Sequence, residues 1–278
     1  MKITKESLLP SAMLRSAKRI PSGIVFALSL VFALSEATAN EVNLGTANNF
    51  AILAGSAITS TGPTTINGNV GSYPTTSVTP GGWILNGMDE SLNTGIMVQA
   101  KNDLVTAYNA AASLAPTMNL TGTDLGGLTL TPGVYFFSSS AQLTGTLTLN
   151  DQGNPDAVFV FQIGSTLTTA VGSSVVTING GLTPGISTFW QVGSSATIQT
   201  GTAFEGNILA LTSITMDTGA TDLDGRLLAR NGAVSLDSNT ITAPPAESVP
   251  DAGRTLLLLG SGLAVLFAFG RRFSSLAC

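Results

Sequence analysis

Two stretches of this chain repeat one pattern at a fixed distance. Phe204-Glu205-Gly206-Asn207-Ile208 returns as Leu223-Asp224-Gly225-Arg226-Leu227, so that Gly206 and Gly225 stand 19 positions apart. Each stretch follows a turn, Thr200-Gly201-Thr202 in one case and Thr218-Gly219-Ala220 in the other. Ile66-Asn67-Gly68-Asn69-Val70 carries the same arrangement near the other end of the chain. A unit this short cannot bury an apolar face alone and must stack on its neighbours. The strands inside the repeats are of two kinds. Phe50-Ala51-Ile52-Leu53, Ala157-Val158-Phe159-Val160-Phe161 and Ile208-Leu209-Ala210-Leu211 are continuously apolar and predict burial on both faces. Leu147-Thr148-Leu149-Asn150, Val176-Thr177-Ile178-Asn179, Ala196-Thr197-Ile198-Gln199, Ile214-Thr215-Met216-Asp217 and Val234-Ser235-Leu236-Asp237 alternate, and predict one buried and one exposed face. The pattern reads as a mostly-β solenoid. A β-sandwich also has short strands and regular turns, but it leaves the recurring order of strand types unexplained.

One segment follows a different period. From Thr94 to Ser113 the apolar residues Met97, Ala100, Leu104, Ala107, Tyr108 and Ala111 line one helical face, and Pro116 follows the end. A helix of 20 residues is about 30 Å long. Six rungs about 4.8 Å apart span roughly 24 Å. The helix is therefore expected to lie along the stack and cover the doubly apolar strands.

The two ends read as addresses. Lys2, Lys5, Arg15, Lys18 and Arg19 precede an apolar run from Ile24 to Leu34, and Ala37-Thr38-Ala39 closes it, as in a secretory signal peptide over residues 1–39. Residues 40–242 are the body, and residues 243–248, with Pro244-Pro245, a short linker. Residues 249–278 hold Val249-Pro250-Asp251-Ala252-Gly253, an apolar run from Thr255 to Gly270, and Arg271-Arg272. The run is short for a membrane span, and the Arg pair belongs on the cytoplasmic side. The body is thus expected outside, at the cell surface or in the surroundings. The tail resembles the VPDSG variant of the PEP-CTERM sorting signals, with Ala252 in the place of Ser. That resemblance implies processing by an exosortase and leaves a plain transmembrane anchor as the alternative.

Composition removes several function classes. Only 10% of the residues are charged and the net charge is −5. From residue 41 to residue 247 the sole basic residues are Lys101, Arg226 and Arg230, which argues against nucleic acid. There is no His, and the single Cys is the last residue, so neither a disulfide framework nor a thiolate or imidazole metal site is available in the body. Asp222 and Asp224 read as a solvated edge two residues apart. A weak Ca²⁺ site there is the one metal reading left open, and no cofactor is expected. Paired carboxylates with a Lys or His partner, as a sugar-cleaving enzyme would need, are missing.

Val42-Asn43-Leu44-Gly45-Thr46-Ala47, Leu130-Thr131-Pro132-Gly133-Val134-Tyr135, Phe161 to Thr169, Phe189 to Thr197 and Asn207 to Thr215 carry a family pattern. On these stretches residues 42–242 resemble the DUF3494-type ice-binding (antifreeze) family. It implies a right-handed triangular β-helix with one long α-helix alongside, and ice bound through one flat face. The other reading of a flat hydroxylated face is an adhesin or matrix protein that binds exopolysaccharide, which would favour exposed Trp or Tyr. On the alternating strands Thr148, Thr177, Thr197, Thr215 and Ser235 are expected to point outward in one column, flanked by Asn179, Gln199, Asp217 and Asp237, with Ser213 beside them. Thr59 and Thr61 are expected to extend the row. Thr suits such a face because its branched side chain is stiff and presents both a hydroxyl and a methyl. A single protomer, binding the surface of an ice crystal, is the expected form.

Overall fold

The computed structural model describes residues 42–180 and 187–245. The segment 1–39 expected to direct export, the last residues of the expected linker and the whole tail, with Val249, Pro250, Asp251 and Gly253, lie outside the described residues. Among the described residues no helix is long and apolar enough to cross a membrane.

The body is a three-sided β-solenoid. Its strands form two eight-stranded sheets and one seven-stranded sheet, paired in parallel from rung to rung. The chain passes through the first, second and third sheets in turn, as in Phe50–Ala54, Ala57–Thr61 and Thr65–Asn67, before rising to the next rung at Asn69–Ser72. Continuous apolar strands occupy the first sheet: Phe50–Ala54, Phe159–Ile163 and Thr188–Val192 are buried at every residue. One side of that sheet faces the solenoid interior through Ile52, Phe161, Trp190, Ile208 and Leu227. Its other side packs on the helix through Leu53, Val160, Leu209 and Leu228.

The stacking order does not follow the chain. The first sheet runs Asn69–Ser72, Phe50–Ala54, Arg226–Ala229, Asn207–Ala210, Thr188–Val192, Phe159–Ile163, Gly133–Phe137, Met118–Asn119. The two rungs nearest the N-terminus therefore sit on the last rung of the chain, with Ile52 opposite Leu227 and Leu53 opposite Leu228. The helix, α1 (Thr94–Ser113), carries the chain from one end of the stack to the other, and the remaining rungs wind back. Eight strands in the first sheet exceed the six rungs expected and span about 34 Å, close to the length of α1.

The helix has the bounds and the buried face that the sequence predicts: Met97, Ala100, Leu104, Ala107, Tyr108 and Ala111. Asn93 caps its start by accepting from the Ile96 amide at 3.5 Å. Polar contacts pin it to successive rungs. Lys101 Nζ donates to the carbonyls of Ala229 and Arg230 at 2.8 and 2.6 Å. The Tyr108 hydroxyl reaches Val192 O at 3.3 Å. Gln162 Nε2 donates to Ala111 O and Leu114 O, both at 2.8 Å, and so satisfies carbonyls that the helix end leaves free. Burial and the nearby Arg230 charge lower the Lys101 ammonium to about 8.

Inside the solenoid the aromatic residues stack from rung to rung. Tyr135 and Phe161 lie 5.4 Å apart between ring centres and Phe161 and Trp190 3.9 Å, and Phe204, in the same rung as Trp190 and tilted 47° to it, closes the row at 5.0 Å. Trp190 is wholly buried, and its indole N–H donates to Glu205 O at 3.1 Å. Trp190→Ala removes the centre of this ladder and leaves a cavity that the paired backbones on either side cannot close. The expected cost is about 3–5 kcal/mol in chemical denaturation, as for other large aromatic truncations.

Candidate functional site: the outer face of the second sheet

The helix covers the outside of the first sheet, so the second and third sheets offer the faces left open. The second sheet consists of Ala141–Leu143, Leu167–Thr169, Ala196–Ile198, Ile214–Met216, Val234–Asp237, Ala57–Thr61 and Ser77–Thr79, in that order. Apart from the buried hydroxyl residues Thr169 and Ser60, its buried inward positions are apolar: Ala141, Leu143, Leu167, Ala196, Ile198, Ile214, Met216, Val234, Leu236 and Ile58. The residues between them point out. Gln142 pairs with Thr168, Thr168 with Thr197, Thr197 with Thr215, Thr215 with Ser235, Ser235 with Thr59, and Thr59 with Thr79. This is an unbroken outward column across seven strands, six of its members hydroxyl residues.

Two further columns flank it. On the side of the first sheet, Thr166 donates to the Ser140 hydroxyl at 2.9 Å, and Ser195 Oγ accepts from the Ser213 amide at 3.3 Å. On the side of the third sheet stand Gln199, Asp217, Asp237 and Thr61, with Thr61 and Asp237 in register. The spacing is about 4.8 Å between rungs and about 6.7 Å between columns. The Asp237 carboxylate takes the hydroxyls of Thr218 and Ser238. The Thr218 contact, followed by those of Ser238 and Thr61, holds it below the usual carboxylate range. Asp217 and Asp237 thus border the face and leave its centre uncharged.

The corners at both edges are tight. Toward the first sheet, Gly164 lies against the rung below: a Cβ there would stand 2.7 Å from Ser138 O. Toward the third sheet every rung turns through a left-handed residue: Gly62, Gly81 with Gly82, Gly145, Gly172, Gly201, Gly219, and Ser238 at φ +54°. Buried hydroxyls and one amide fill that corner. Thr169 and Thr202 bond at 2.9 Å, Ser60 donates to Thr64 at 2.9 Å, and Asn239 Nδ2 donates to Asp217 O and Ala220 O at 2.8 and 2.9 Å.

The residues singled out from the sequence divide between two faces. Thr59, Thr61, Thr197, Gln199, Ser213, Thr215, Asp217, Ser235 and Asp237 all stand on the second sheet or at its borders. Thr148, Thr177 and Asn179 do not. Thr148 belongs to the third sheet, opposite Thr129 and Val176. Thr177 is turned the other way: it aligns with buried Leu149, and its hydroxyl donates to the Glu205 carboxylate at 2.6 Å. Val175 is the buried residue of that strand, while Val176 and Ile178 are 37% and 41% exposed. Alternation read from Val176 starts one residue late, and a slip of one residue exchanges the faces. Asn179 follows the strand end at φ +54° and donates to Asn150 Oδ1 at 3.2 Å. Asp222 is a further correction, for it is no solvated edge but fully buried. Among the described residues no group of three or more His, Cys, Asp or Glu could hold a metal ion.

Sequence reasoning missed Gln142, Thr168 and Thr79 of the central column. Leu167-Thr168-Thr169 does not alternate in polarity, because Thr169 points inward and is satisfied by Thr202. Ala141-Gln142-Leu143 does alternate and could have been found.

Residues 52–242 match the ice-binding-like family. An ice-binding protein of Nostoc sp. (strain HG1) is 54% identical over 250 residues, covering 86% of this chain and 91% of that protein. One of Colwellia sp. is 37% identical over 74% of this chain and 85% of its own. Among solved structures, an ice binding protein from an Antarctic biological consortium superposes with a TM-score of 0.69 at 46% identity, covering 73% of this chain and 91% of that one. The ice-binding protein of the ascomycete Antarctomyces psychrotrophicus does so with 0.67 at 39%, covering 72% and 97%.

The corner network makes its own prediction. Asn239→Ala leaves the carbonyls of Asp217 and Ala220 without their donor and the Asp237 amide without its acceptor. Stability should fall by about 1–3 kcal/mol in denaturant titration.

Proposed function

The chain belongs to the ice-binding protein family, and on that premise we propose that the outer face of its second sheet is the surface that adsorbs to ice. The carrying observation is the in-register column from Gln142 through Thr168, Thr197, Thr215, Ser235 and Thr59 to Thr79. Ice is an extended, neutral and periodic ligand. A matching surface must be rigid, repeat at a fixed spacing, and hold no charge that would bind disordered water tightly. Parallel pairing supplies the spacing, and the interior packing and edge contacts supply the rigidity. Each Thr offers a hydroxyl to hold a water and a methyl that excludes others. Single contacts of this kind are weak, so affinity comes from the number that engage together.

The third sheet serves this purpose less well. Its outer side mixes Thr146 and Ser174 with exposed Val176, Ile178 and Ile84, and its edge gathers Glu205 and Asp224. The polysaccharide reading loses ground for a related reason, since the central column of the second sheet holds no aromatic side chain. We read the domain as a binder without catalytic function. Export and retention at the cell surface, through the segments 1–39 and 249–278, belong to the same proposal and rest on the sequence of those segments.

Thr215→Tyr places a bulky ring in the middle of the column without touching the interior, so stability should change by no more than about 0.5 kcal/mol. Partitioning of the purified 40–248 fragment into growing ice should nevertheless fall sharply. Thr148→Tyr on the third sheet is the control and should partition as the unaltered domain does. The assignment of the face is wrong if the two variants exchange behaviour. For the tail, a chain ended after residue 248 should appear folded in the medium, whereas the full chain stays with the cells. Retention of the shortened chain inside the cells would refute that role.

A further inference from the structure

The inward column of the third sheet is apolar along this stretch except at one position. Phe204, Ile241 and Ile66 fill it in register and are buried. Between Phe204 and Ile241 stands Asp222, with no exposed surface at all. Neither of its carboxyl oxygens has a hydrogen-bond partner among the described residues. An ionised carboxylate in such a place is costly unless paired.

The charged groups that face Asp222 do not pair with it. Glu205, one rung away, binds the Thr177 hydroxyl with its carboxylate. Asp224, two residues on, is a second acid whose charge opposes ionisation of Asp222. Among the described residues Arg226 is the one cation acting on Asp222, and its nitrogens are engaged elsewhere. Nε donates to Asn48 O at 3.1 Å, Nη1 to Asn207 Oδ1 at 2.9 Å, and Nη2 to Pro244 O at 2.9 Å. Arg226 therefore ties the first described turn of the chain and its last described residues to the same rung.

We propose that Asp222 is carried as the neutral acid inside the folded domain, and that its ionisation draws Arg226 away from Asn48 and Pro244, so that one proton controls the latch on both ends of the domain. The chemistry is a single acid dissociation: the carboxyl O–H breaks, the proton leaves to solvent, and the new anion competes with two carbonyls for one guanidinium. Burial, the Glu205 charge and the Asp224 charge all raise the Asp222 carboxyl well above its ordinary value, against the opposing pull of Arg226. Burial lowers Arg226 to about 10, so it stays a cation near neutrality.

The direction of the pH dependence follows from these causes. The folded domain holds this proton more tightly than the unfolded chain, whose Asp titrates near about 4. The stability it contributes is complete below that value and is lost as pH rises through the raised folded value. Glu205, Asp224 and Asp151 are also raised, each chiefly by burial, and act in the same direction.

The test uses the 40–248 fragment and its variant Asp222→Asn, which keeps the shape and cannot ionise. Infrared spectra at pH 7 should show a protonated carboxyl band in the unaltered domain that is missing from D222N. As pH is raised from about 6 to about 9, amide exchange protection over residues 42–49, corrected for intrinsic rates, should fall in the unaltered domain, by about tenfold for each pH unit over which one linked proton is released. In D222N only the smaller loss that Glu205, Asp224 and Asp151 contribute should remain. Absence of the band at pH 7 overturns the neutral acid. A parallel loss of protection in both proteins overturns the latch. If D222N does not fold, Arg226→Lys provides the second reading. It keeps the charge but not the three-way clasp, so protection over residues 42–49 should be low at both pH values, and a pH-dependent loss in R226K equal to that of the unaltered domain overturns the latch.

Discussion

Parallel in-register pairing between rungs is the constraint on which the rest of the molecule depends. Once Thr197 lies opposite Thr215 and Thr215 opposite Ser235, every residue on those strands belongs to a column, and each column has one environment. The inward columns must be apolar or satisfied, the outward ones inherit the rung spacing, and the corners must be narrow enough for the next rung to close on them. Gly164, pressed against Ser138 O, shows how little room the stacking leaves.

Stacking alone leaves the first sheet with a bare apolar outer side, and α1 answers that need. Its buried face meets Leu53, Val160, Leu209 and Leu228, and polar contacts join it to three different rungs. The same helix lets the chain double back. Because it returns the chain to the far end of the stack, the rung at Phe50–Ala54 can close against the last rung at Arg226–Ala229. Both described ends of the body meet at Arg226 as a result. One buried guanidinium thereby reinforces a seam that strand pairing closes and chain connectivity does not.

The two open faces diverge in chemistry for a structural reason. The second sheet is bordered by corner contacts that take up the Asp237 carboxylate and leave its centre to hydroxyls. The third sheet carries the strand whose Thr177 turns toward Glu205, and with it the buried Asp222. A uniform neutral face and an acid-lined edge are thus built from the same repeat.

Much of this was legible in the chain itself. The spacing of Met97, Leu104, Tyr108 and Ala111 determined the helix and its bounds, and the strict alternation around Thr197, Thr215 and Ser235 determined which way those residues point. Both are local patterns, settled by periods of 3.6 and 2 residues. Three matters were decided only by tertiary structure. The phase of the strand at Ser174–Ile178 depends on its pairing with Leu147 and Leu149, since two adjacent valines leave the buried one undetermined. The burial of Asp222 depends on the column it enters between Phe204 and Ile241, whereas its polarity pointed outward. The neighbourhood of Thr59 and Ser235 joins residues 176 positions apart, and no local period records which rungs a helix crossover will bring together.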